Sequence, residues 1–191
     1  MDQAVKEWRR LQRAALIATR ETMSPDERKT ITSAVATRLD AAVATLGSTV
    51  IGLYWPIKRE INLLAWGQTL MQSRQVTLCL PVVVAPKTPL EYWRWTPGET
   101  LKSGVWGIPI PGEREVLLPD LMLAPVVGFD RANYRLGYGG GYFDRTLASL
   151  AKRPAVIGVG YEFSALETIY PQPHDIALDG VVTEQRGMAA G

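Results

Sequence analysis

Apolar and polar positions along the chain alternate between helical and strand-like spacing. Within residues 3–21, Ala4, Trp8, Leu11, Ala15 and Ala18 recur at intervals of three and four, which predicts a helix with one apolar stripe facing inward. Ser24-Pro25-Asp26-Glu27 then supplies an N-cap, a proline at the first helical position and a capping-box acid, so a second helix should run to Leu46 and stop at Gly47. From Thr49 the run Val-Ile-Gly-Leu-Tyr-Trp reads as a buried strand ended by Pro56. Ile61–Ser73 reads as a helix, Gln75–Leu80 as a strand, and Leu90–Thr96 as an edge strand or hairpin. Eight of the 13 prolines lie between Pro81 and Pro125, which excludes long helices there. Leu121–Val127, continuously apolar, is expected as a central strand covered on both faces. A glycine-rich stretch, a helix to about Ala151, a strand at Ala155–Tyr161 and a last short strand at Gly180–Thr183 complete the series, with residues 186–191 as a frayed tail.

Strands alternating with helices imply a single-domain α/β layered fold, its central sheet largely parallel and flanked by helices. Ligands of such sheets bind beyond the carboxyl ends of the strands, which directs attention to the loop after Val127. Composition removes alternatives. The apolar runs are far too short for the roughly 20 residues of a membrane span, and Ala14–Ala18 sits among charges that a signal peptide lacks. One cysteine, Cys79, excludes an internal disulfide, so a cytoplasmic protein is expected. Twenty-one basic against 19 acidic residues argues against nucleic acid as a partner. A monomer acting on small molecules is the expectation. The distribution of charge is less even: Lys6, Arg9, Arg10, Arg13 and Arg20 crowd one arc of the first helix, either as a solvated face or as an anion site.

The chemistry concentrates in Arg135-Leu136-Gly137-Tyr138-Gly139-Gly140-Gly141-Tyr142-Phe143-Asp144-Arg145. Four glycines in five positions let main-chain N–H groups approach a ligand closely, and the helix that follows adds its positive dipole end. Arg135 and Arg145 are placed to meet phosphate oxygens, and Asp144, in the first helical turn, to hold a divalent metal bridging them. Neither the dinucleotide fingerprint nor the Walker loop matches. A mobile turn is the plain alternative for the loop, and a dipole-stabilised acid for Asp144.

This stretch resembles the signature of the 5-formyltetrahydrofolate cyclo-ligase family, Arg-Leu-Gly-x-Gly-x-Gly-Tyr-Tyr-Asp, with Phe143 in the second tyrosine position. Four further segments match in order: Ser24–Arg28 after the basic helix, Pro56–Glu60, Trp106–Pro111 and His174–Glu184. The resemblance implies ATP-dependent, magnesium-requiring cyclisation of 5-formyltetrahydrofolate to 5,10-methenyltetrahydrofolate, with ATP and the folate as small-molecule substrates. It implies that Arg135 to Phe143 wrap the ATP phosphates, that Tyr138 to Tyr142 also touch the folate, and that Asp144 and Asp175 hold Mg2+. Trp55 and Glu60 match folate-contacting positions, and Arg9, Arg10 and Arg13 the segment that contacts nucleotide. Two departures stand out: Arg9 replaces a lysine, with Lys6 one turn earlier, and Asn133 replaces a common glycine before the loop.

The residues also carry plainer readings. Glu60 suits the first turn of a helix, Asp175 a turn cap, Trp55 and Trp106 the core, and His174 a structural contact. No nucleophile triad is visible, which suits a reaction whose nucleophiles both belong to the substrate and whose catalyst supplies position and charge. A non-catalytic nucleotide- or anion-binding module is the second reading.

Overall fold

The computed structural model describes residues 2–188. It opens with α1 (Gln3–Thr22), α2 (Pro25–Leu46), β1 (Val50–Gly52), α3 (Leu64–Arg74) and β2 (Thr77–Val82). The proline-rich middle forms β3 (Glu91–Arg94), β4 (Leu101–Ser103), β5 (Pro109–Pro111) and β6 (Val116–Leu117). Then follow β7 (Leu121–Pro125), β8 (Gly128–Phe129), β9 (Arg135–Leu136), α4 (Tyr142–Ser149), β10 (Ala155–Val159) and β11 (Gly180–Val182).

Seven strands form one sheet in the order β11-β10-β7-β1-β2-β3-β6. The first five run parallel, and β3 and β6 close the far side antiparallel. The apolar run at 121–127 lies, as its composition requires, between β1 and β10. Its side chains alternate. Leu121 and Leu123 join Val35, Leu39 and Val43 of α2 and Leu70 of α3 in one core layer. Met122 and Ala124 point the other way, into a second layer with Leu147 of α4, Tyr92 and Phe129.

Helix signals on α2 are realised in full. Ser24 Oγ accepts from the Glu27 amide at 3.2 Å, Glu27 reaches back to the Ser24 amide at 2.8 Å, and Gly47 takes the left-handed conformation at φ 63°. Elsewhere the expected bounds shift. α3 starts at Leu64 rather than Ile61, because Ile61 and Leu63 are drawn into the core and Asn62 Oδ1 accepts from the Leu64 amide at 3.1 Å. β3 pairs with β2 as a hairpin but lies one strand in from the edge, which the two-residue β6 occupies. The tail is not frayed at its start: Arg186 donates to Glu162 and Met188 packs on the main core, while 189–191 lie outside the described residues.

The principal correction concerns α1. Its expected apolar stripe faces mostly outward, with Ala4, Ala15 and Ala18 exposed, Leu11 51% accessible and Trp8 half-buried against Tyr170. The buried residues are Arg9, Leu16 and Arg20, with Arg13 half-buried beside them. A wheel that assigns burial by hydropathy turns this helix the wrong way, since arginine stems lie along apolar surface while their heads find buried acceptors. A solvated basic face is excluded for these three arginines.

Candidate active site

The sheet reverses direction at β1. From β1 the chain moves by α3 to β2 on one side, and later from β7 to β10 and β11 on the other. Loops leaving the carboxyl ends of β1 and β7 therefore part at a crevice, where ligands of open α/β sheets bind. The β1 loop carries Trp55 and Glu60. The β7 loop runs through the β8–β9 hairpin into the glycines and ends at α4. Asn133 sits in that hairpin at φ 61°, in the left-handed region that asparagine tolerates, so the missing glycine is accommodated.

Arginines of α1 reach into this crevice. Arg13 Nε donates to the Gly137 carbonyl at 2.7 Å, and its guanidinium lies against Gly139, where an added Cβ would stand 3.6 Å from Cζ. Gly139 and Gly141 need their glycine identity for conformation, at φ 92° and 64°. Gly141 is the N-cap of α4 and has no side chain to occupy that end, which leaves the first-turn amides facing the loop. Arg145, one turn into α4, donates to the Gly140 carbonyl at 2.6 Å and stacks over the Tyr142 ring at 4.8 Å.

Deeper in, Glu60 is buried, and it is not the helix-end acid of its plainer reading because α3 begins four residues later. Its Oε2 accepts the Ile57 amide at 2.9 Å and its Oε1 accepts the Tyr138 hydroxyl at 3.0 Å. Burial pushes this carboxyl above its ordinary range, against the Ile57 amide, the Tyr138 hydroxyl and the charge of Arg20. Burial, and next to it the Glu60 charge, also raise Tyr138.

Asp144 and Asp175 lie at the far end of the loop, each held by an arginine. Arg135 grips Asp144 with two parallel bonds of 2.9 and 3.0 Å and lies over the Phe143 ring. The Ile176 amide donates to Asp144 Oδ1 at 3.2 Å, which brings the neighbouring Asp175 to the same corner. Arg9 donates to Asp175 at 2.5 Å and to the carbonyls of Ile169 and Tyr170 at 2.9 Å each. Burial works to raise Asp175, but the Arg9 bond, the Gln172 amide and the Arg9 charge hold it below its ordinary value. Two carboxylates at one corner, with no third acidic, histidine or cysteine group able to complete a cage among the described residues, form a donor set suited to a hard cation that keeps waters or phosphate oxygens of its own.

Other expected positions are less central. Arg10 is exposed and paired with Glu7 at 2.6 Å, and Lys6 is exposed too. Trp55 is half-buried against the core. Trp106 is not a core residue: it is 70% exposed, left-handed at φ 58°, and meets the Tyr142 ring edge-on at 5.7 Å. His174 is largely exposed, 3.8 Å from Asp175. Arg20, which no loop motif marks and which the sequence offers only as one of the basic arc of the first helix, is buried at 1% beside Tyr138 and Glu60. Two surface hollows, beside Arg94 and Glu113 and beside Asp130 and Glu167, include none of these side chains.

A parallel sheet with a glycine loop, guanidiniums and paired carboxylates at its switch point defines an anion-handling α/β protein. Its relatives make that specific. The model of the 5-formyltetrahydrofolate cyclo-ligase family matches residues 5–184. The chain is 33% identical to the 5-formyltetrahydrofolate cyclo-ligase of Mycolicibacterium smegmatis over 147 residues, 72% of this chain and 74% of the relative. It is 30% identical to that of Mycoplasma pneumoniae, over 71% of this chain and 73% of the relative. The structure of Aquifex aeolicus 5,10-methenyltetrahydrofolate synthetase superposes with a TM-score of 0.81 at 30% identity, covering 96% of this chain and 94% of that one. The chain belongs to the 5-formyltetrahydrofolate cyclo-ligase family, and it is an enzyme.

Proposed function

We propose that this enzyme cyclises 5-formyltetrahydrofolate to 5,10-methenyltetrahydrofolate at the expense of ATP, releasing ADP and phosphate. The observation that carries this reading is the meeting of the glycine loop with Arg13 and Arg145 on one side and the buried Glu60 carboxyl on the other. In the proposed first step the formyl oxygen attacks the terminal phosphorus and the bond to ADP breaks. N10 of the same folate then attacks the activated formyl carbon, and the carbon–oxygen bond breaks as phosphate leaves, taking up the proton that N10 loses. Both nucleophiles come from the substrate, so the protein supplies position and charge.

In this reading the amides of 137–141 and the first turn of α4 face the phosphates, and Arg13 and Arg145 exchange their loop carbonyls for phosphate oxygens. Glu60 accepts hydrogen bonds from the pterin amino and ring N–H groups, which requires the Tyr138 hydroxyl to give up Oε1. Asp144 and Asp175 would hold Mg2+, which when bound offsets phosphate charge. Mixing the protein with 5-formyltetrahydrofolate, ATP and magnesium should generate the absorbance of the methenyl product. Folded protein that binds ATP without consuming folate or releasing phosphate would instead be a nucleotide-binding module.

A further inference from the structure

Arg20 is a buried cation on α1, 1% exposed. Its Nη2 donates to the Val126 carbonyl at 3.1 Å, just past the end of β7, and its Nη1 donates to the Tyr138 hydroxyl at 3.3 Å. The same Nη1 stands 3.9 Å from Glu60 Oε1, and the ring of Tyr161 lies 5.7 Å beneath the guanidinium. Its Nε is buried without a partner among the described residues. A fully buried arginine with an unused donor is costly as mere packing. One guanidinium thus joins three elements that meet only at the switch point: the end of β7, the glycine loop and the β1 loop.

We propose that Arg20 is a positioning residue for folate recognition: it keeps Glu60 an ionised, fixed acceptor and sets the place of Tyr138 beside it. The inference rests on the reading of Glu60 as the pterin acceptor. The other titratable groups facing Glu60 are Tyr54, Tyr138 and Tyr161, with Lys58 over the Tyr138 ring at 5.6 Å. Arg28 and Glu184 act on Tyr161. Arg20 is the cation whose charge opposes the burial of this carboxyl. Without it, burial acts with less opposition, and Glu60 takes up its proton at higher pH.

The test is the pH dependence of kcat/KM for 5-formyltetrahydrofolate at saturating ATP and magnesium, in the parent enzyme and in Arg20→Met, Arg20→Lys and Glu60→Gln. Arg20→Met should raise the folate KM about tenfold at neutral pH, leave the ATP KM within about twofold, and move the acidic limb up by about one pH unit. Arg20→Lys keeps the charge without the fork, so its acidic limb should return toward the parent position while the folate KM stays raised; this variant carries the test if Arg20→Met does not fold. A folded Arg20→Met whose limb is unshifted, or an Arg20→Lys whose limb moves up by about one pH unit or whose folate KM stays at the parent value, would overturn the inference. Glu60→Gln separates the two layers. If it leaves the folate KM unchanged, the pterin reading falls and takes this inference with it. If it raises the folate KM while Arg20→Met leaves the limb in place, or Arg20→Lys leaves the folate KM at the parent value, the pterin reading stands and the role of Arg20 falls alone.

Discussion

Replacing Arg9 by methionine should destabilise the protein far more than removing a surface charge. The guanidinium donates to the Ile169 and Tyr170 carbonyls and to Asp175, and the two side chains are only 6% and 11% exposed. Truncation to an apolar chain leaves the Ile169 carbonyl, in a fully buried residue, without that donor, and leaves Asp175 with the Gln172 amide at 2.7 Å and a distant imidazole. Removing one member of a buried pair costs roughly 3–5 kcal/mol. Asp175 retains some contact with water, so the lower figure, about 3 kcal/mol, applies. With a urea m-value of about 2 kcal/mol/M, the midpoint should fall by about 1.5 M. Asp175→Asn keeps an acceptor for Gln172, and the double variant should recover about 1 kcal/mol relative to the sum of the singles. Acid acts through the same pair. The folded pKa of Asp175 lies below its ordinary value, so its contribution is complete above about pH 4 and is lost as pH falls through the folded value. Parent stability should therefore decline below pH 4 more steeply than that of Asp175→Asn. A midpoint shift under about 0.3 M in Arg9→Met, or strict additivity in the double variant, would refute this account.

Asp144→Asn should leave a folded protein whose methenyl-forming rate is lower by about a hundredfold, some 2.7 kcal/mol of barrier, with unchanged turnover removing this carboxylate from the metal site. Gly139→Ala meets only an ordinary contact with Arg13, so its penalty is the left-handed backbone at φ 92°, about 1–2 kcal/mol. It should lower kcat/KM for ATP about tenfold and the melting temperature by about 2–8 °C, as steady-state kinetics and calorimetry would show. Gly52→Ala drives a Cβ to 2.6 Å from the Tyr92 ring inside the sheet, and should cost about 1–3 kcal/mol in urea unfolding while ATP affinity, measured by calorimetry, stays near the parent value.

The helix and strand series was legible where the signal was local. The Ser24 capping box, the Gly47 stop and the unbroken run at 121–127 each encode their structure within a few neighbours. The glycine loop ahead of α4 was legible for the same reason, since glycines at 139 and 141 take the left-handed turn that leads into the helix. What escaped was decided by distant partners. Arg9, Arg13 and Arg20 turn α1 inward because carbonyls at 169, 137 and 126 await them, more than 100 residues on. No periodicity records those acceptors. Glu60 and Tyr138, 78 positions apart, meet only because β1 and β7 end side by side. Of the two readings open for Trp106, the core one fails because its left-handed backbone turns it out beside Tyr142.

The bonds of α1 to residues 126, 137, 169 and 175 also govern when this protein can become active. During translation that helix leaves the ribosome about 150 residues ahead of its last partners, some 8–30 s at ordinary elongation rates. Until then Arg9 has no acceptor to hold, and a half-made chain has no working pocket. A nascent chain stalled before residue 169 is therefore expected to carry no turnover at all, a switch-on set by the ribosome's progress rather than by any regulator.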